Sequence, residues 1–131
     1  MGVVLPFTRP QKEYPAEARL RDCRDTLFAV HQRGYALMVD GVDLHTVDVL
    51  RMEVDVFHDA AARLSAICRS PEMNAHLATL QTAAWTLHFC AYAWHKLQGD
   101  TCARAAFASA YADFSRAAFA LFPRLKSGPR I

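Results

Sequence analysis

The sequence predicts an all-α fold: an up-down-up-down antiparallel four-helix bundle with short connections, an N-terminal arm and a short basic C-terminal tail. Three observations carry this. Alanine is the commonest residue, 23 of 131, against 5 Gly and 6 Pro; Ala is the strongest helix former, and Gly and Pro are the weakest. Apolar residues recur at steps of three and four along most of the chain, which is the period of a helix burying one face. The breaks between these stretches are only a few residues long, so consecutive helices must lie antiparallel as neighbours.

Residues 1–13 read as an extended arm, because Pro6 and Pro10 break regular structure and Arg9, Lys12 and Glu13 are readily hydrated. The bundle then occupies 14–123. A first helix, about 15–39, opens on Pro15, where a missing N–H costs nothing, with Glu17 near the positive end of the dipole. Its seam is Leu20, Cys23, Leu27, Val30, Gly34 and Leu37, and Asp40-Gly41 ends it. A second helix, about 44–69, is capped by Asp43 or Thr46. Its seam alternates strictly between steps of three and four: Val47, Leu50, Val54, Phe57, Ala61, Leu64, Cys68, the repeat of helices packed at a shallow angle.

Ser70-Pro71 then supplies a cap and a first-position proline for a third helix, about 71–98. It carries Met73, Leu77, Leu80, Ala84, Leu87, Ala91 and Trp94, and Gly99 closes it. Asp100 or Thr101 caps a fourth helix, about 101–122, whose seam is Phe107, Ala110, Phe114, Ala117 and Leu121. Pro123 is expected to stop it, leaving a tail over 124–131.

Bulk composition excludes several classes of function. With 53% hydrophobic and 21% charged residues and a formal net charge of +2, the chain lacks the low hydrophobicity and high charge of a disordered protein. It also lacks the concentrated basic excess of a nucleic-acid binder. The richest apolar run, Thr82 to Trp94, is too short to span a bilayer and contains His88. No basic segment precedes the apolar patch Val3-Val4-Leu5, so no secretory signal is read. The four cysteines form no CxxC pair, and a chain able to bury a core needs no disulfide framework. The expectation is reduced thiols in an intracellular, soluble compartment.

Apolar surface beyond the seams gives the leading functional expectation. The third helix has a second stripe, Trp85, His88, Tyr92 and His95; the fourth has Tyr111, Ala118 and Phe122 on one side and Phe119 near another. A bundle needs about a three-in-seven apolar face per helix, and these two helices exceed it. A non-catalytic protein-interaction module follows: an accessory subunit, an adaptor or a self-associating bundle, with Trp85, Tyr92, Tyr111, Phe119 and Phe122 as its interface. Its partner is then another protein or a second copy. Charge is mildly polarised as well: residues 40–59 hold six acids and one base, for −5, whereas 101–131 hold five bases and one acid, for +4. Opposed patches of this kind set orientation and association rate.

Two chemical alternatives stand beside it. Helical rise places His31 and His88 at one level, roughly 24 Å above the bundle base, with Glu53 and Asp55 close to that level and His58 one turn from Asp55. Inward imidazoles and carboxylates at one height can form a transition-metal or haem site, here His31, His88, Asp55 and His58. No CxxCH haem attachment and no repeated Glu-x-x-His pattern accompanies them. The other alternative is a small enzyme using Cys102, at a helix N-terminus that favours the thiolate, with His95 at a similar height.

The run His95-Lys96-Leu97-Gln98-Gly99 resembles the phospho-acceptor box of histidine-phosphotransfer domains, which are also helical bundles. The resemblance implies a phospho-accepting His95. It covers five residues and departs at Gln98, where the family has a lysine that holds the phosphoryl group. No phosphate loop, dinucleotide fingerprint or zinc-finger spacing is present.

Overall fold

The computed structural model describes residues 15–126. The expected arm over 1–13 and the end of the expected tail lie outside them. Four helices follow one another: α1 (Pro15–Asp40), α2 (Leu44–Ile67), α3 (Pro71–Lys96) and α4 (Thr101–Lys126). α1 packs on α2, α2 on α3, α3 on α4, and α4 back on α1. The result is a square in which α1 and α3, and α2 and α4, are diagonal. None of the described helices is long and apolar enough to cross a membrane.

The helix ends follow from local chemistry. At α2, Asp43 is the N-cap: its side chain accepts from the Thr46 N–H at 2.9 Å, and the Thr46 hydroxyl accepts from the Asp43 N–H at 3.1 Å. Thr46 is thus the reciprocal partner in a capping box. At α3, Ser70 Oγ accepts from the Met73 N–H at 3.1 Å, with Pro71 in the first turn. Asp100 caps α4 by accepting from the Cys102 N–H at 2.8 Å. Gly41 and Gly99, both at φ +92, turn the chain after α1 and α3, a conformation that a side chain would strain.

Against the sequence expectation, α4 does not stop at Pro123 but runs through it to Lys126. So close to a helix end, a proline forfeits a single backbone hydrogen bond. Leu125, 2% exposed, holds the last turn against the core.

Burial follows the predicted seams closely. All six seam residues of α1, from Leu20 to Leu37, are buried. So is the whole α2 series from Val47 to Cys68. In α3 every seam residue is buried except Trp94, which is half-buried against the Phe107 ring with centroids 5.3 Å apart. In α4 the inward position is Ala118, fully buried, and Ala117 is half-buried. Ala118 therefore belongs to the core and not to the surplus surface expected for that helix. Phe57, Phe107 and Phe114 are the largest fully buried side chains, each contributing roughly 1.5–3 kcal/mol by burial.

Polar contacts fix the register of neighbouring helices. Across α1 and α2, Arg33 donates to both carboxylate oxygens of Glu53, Nε at 2.9 Å and an Nη at 3.3 Å. Such a forked pair sets geometry as well as energy. Across α3 and α4, Arg124 donates to Glu72 at 2.8 Å.

Candidate interaction surface

Two aromatic clusters lie on opposite sides of the square. The first sits where α4 meets α1. Gly34 makes it possible: a Cβ there would meet the Tyr111 ring at 2.7 Å, so glycine lets the ring lie directly against α1. The Tyr111 hydroxyl then lies 3.3 Å from His31 Nε2, and the two ring centroids are 5.5 Å apart. His31 also stacks on Phe114 at 6.4 Å and meets the edge of Phe119 at 5.3 Å. Burial lowers the pKa of His31 and raises that of Tyr111, because each ionised form would lose solvation.

One turn below, Phe28 packs edge-on to Phe122 at 6.5 Å, and Phe122 meets Phe119 at 6.2 Å. Between these three rings and the side chains of Arg24 and Asp25 lies an open cleft of about 470 Å³. Phe28 is 52% exposed and Phe119 60%. It is rings gathered into one patch, rather than singly exposed ones, that mark interaction sites or ligand grooves.

The second cluster lies where α2 meets α3. Trp85 Nε1 donates to His58 Nδ1 at 3.4 Å, and Trp85 meets His88 at 6.0 Å, nearly perpendicular. Phe89, 63% exposed, leans on His88 at 5.5 Å. His88 is only 8% exposed, and its Nδ1 is buried without a hydrogen-bond partner. Its pKa is lowered chiefly by burial and also by the nearby Arg51 charge, while Asp48 opposes the shift.

The residues expected at the interface therefore divide. Phe119 and Tyr92 are exposed, Tyr92 with the Lys96 ammonium 5.5 Å from its ring. Phe122, Tyr111 and Trp85 are half-buried and packed against the core. Three exposed rings, Phe28, Tyr35 and Phe89, were missed by sequence reasoning. Phe28, His31 and Tyr35 recur at steps of three and four beside the α1 seam, a second stripe that the same periodicity test could have found.

The structure does not bring the four candidate metal ligands together. His31 turns towards α4, whereas His88 turns towards α2, with Arg51 and Asp48 as its charged neighbours. Asp55 is exposed, and His58 is engaged with Trp85. Glu53, at the same height, is held by Arg33. Equal height is not enough: with about 100° between successive residues, azimuth decides which side chains can meet. Among the described residues, no three His, Cys, Asp or Glu side chains are placed to hold a metal ion.

Among the described residues, His95 makes its side-chain contact with Gln98, the ring lying 3.4 Å from the amide. Cys102 is exposed at the start of α4. The other thiols are free too. Burial, with help from Asp22, pushes the Cys23 thiol up to about 12, so it serves as a small apolar core residue. In the His95–Gly99 run, Gly99 acts as the helix stop. Compared with known proteins, the chain matches no family model, no curated protein and no solved structure.

Proposed function

We propose that the chain is a non-catalytic helical interaction module that uses the aromatic face between α4 and α1. The observation that carries this reading is the cleft of about 470 Å³ framed by Phe28, Phe119 and Phe122. Three rings converge there, two of them more than half exposed. Interfaces are enriched in such aromatic anchors, and hot spots cluster where a ring can be fully desolvated. The role is that of an accessory subunit, an adaptor or a self-associating bundle.

A photo-crosslinking residue placed at position 119 tests this in cells. The expected result is a covalent adduct of defined mass, absent when the same group replaces Arg63, which is also exposed but lies on α2 away from the cleft. Equal, diffuse crosslinking from both positions would overturn the reading.

A further inference from the structure

The rim of the α4/α1 cleft carries one charge of each sign on adjacent residues. Arg24 Nε lies 3.2 Å from Asp25 Oδ1, and the two side chains are 38% and 63% exposed. An exposed pair of this kind contributes little within one molecule, so either partner is readily exchanged. A surface built for a charged foreign partner would show one dominant sign. Equal and opposite charges beside an apolar patch suit a self-complementary contact, because across a two-fold axis each patch supplies both halves of any charged pair.

Area points the same way. Phe28, Tyr35 and Phe119 are each more than half exposed. For rings that bury roughly 150–250 Å² apiece, they leave about 300 Å² of aromatic surface open. That is a suitable centre for a contact of about 800 Å² per partner, the half-buried rings and polar rim supplying the remainder.

From these observations we infer that the cleft is closed by a second copy of the chain in a two-fold dimer. Arg24 of each copy pairs with Asp25 of the other, and the Phe28, Phe119 and Phe122 rings of the two copies pack together. This inference rests on the reading of the α4/α1 face as an interaction surface and commits it to one occupant. All five residues line the same cleft, so an axis through it keeps every one of them in contact. The modest area makes the dimer concentration-dependent.

The experiment measures molar mass by sedimentation equilibrium, which needs no label, for the full chain and for two charge-reversed variants, Arg24→Glu and Asp25→Lys. The wild-type mass should rise with concentration from 14.7 kDa towards twice that value. Each variant alone sets like charges against each other and should associate at least about tenfold more weakly, while an equimolar mixture of the two regains the wild-type affinity. Circular dichroism checks that both variants remain folded, and Phe119→Glu gives a second disruption that leaves the rim intact.

A wild-type chain that stays at 14.7 kDa at high concentration would overturn the inference. So would a dimer indifferent to all three substitutions, since it would use another face. A monomeric chain that still yields a discrete adduct from position 119 with a different protein overturns only the self-association. Absence of any adduct overturns the underlying reading as well.

Discussion

The two aromatic clusters are built from the same ingredients and arrive at different surfaces. On the α4/α1 side, His31 finds the Tyr111 hydroxyl, and three rings stand around a cleft. On the α2/α3 side, Trp85 lies between His58 and His88, half-buried, and His88 keeps an unpartnered nitrogen. What separates them is how the largest ring is used. Trp85 covers its helix junction, whereas Phe28, Phe119 and Phe122 frame theirs without filling it. A histidine among aromatics is thus common to both junctions; the space left open beside the rings distinguishes the α4/α1 one.

Substitutions can break or sharpen this contrast. The largest effect is expected at Phe114, fully buried beneath His31. Phe114→Ala should cost about 3–5 kcal/mol in a urea titration, because a cavity opens where both the core and the cluster rest. Trp85→Ala comes next, at roughly half that cost since the ring is only half-buried; thermal unfolding should show a clearly lowered midpoint. If Trp85→Ala left the midpoint unchanged, the α2/α3 cluster would be as open as its counterpart.

His88→Leu should act in the opposite direction. Removing a buried nitrogen that lacks a partner relieves about 1 kcal/mol or more, so this variant should be more stable at neutral pH. The same residue gives a pH dependence. Its pKa is lowered in the folded chain, so the unfolded chain binds more protons at mildly acidic pH. The stability that neutral His88 contributes is fully present above about pH 6.5 and is lost as the pH falls through that value towards the folded pKa. Arg51 and Asp48 of α2, with Trp85 and Phe89 of α3, are the groups around it. His88→Leu should flatten the acid limb of a stability–pH curve, leaving the slope from His31, whose pKa is lowered as well. An unchanged curve would mean that His88 gains solvent or a partner on protonation.

The smallest effect is expected at Phe119. Because the ring is 60% exposed, Phe119→Ser should alter folding stability by no more than about 0.5 kcal/mol, while association falls. A loss of helicity in this variant would show instead that Phe119 is a core residue.

Most of the fold was legible in the sequence because burial follows a period that can be counted. The α2 seam from Val47 to Cys68 is buried position by position, and Asp43, Ser70, Gly41 and Gly99 mark ends by chemistry that acts within a few residues. The end of α4 was not legible. Pro123 reads locally as a stop, and only the distant packing of Leu125 reveals that the helix continues.

The surface was legible in part. An excess of aromatic residues on α4 led to Phe119 and Phe122, but its other half lies on α1, where Phe28 adjoins the seam residue Leu27 and was not singled out. For the candidate metal ligands, height was legible and azimuth was not. Rise along the axis put His31 and His88 at one level, and rotation about it turned them to opposite sides of the square.

That opposition has a consequence for valency. If two copies close on each other through α4 and α1, both α2/α3 faces point outward, each carrying an exposed Phe89. The pair then displays two identical outer faces, so any contact that one of them makes is available twice in the same particle.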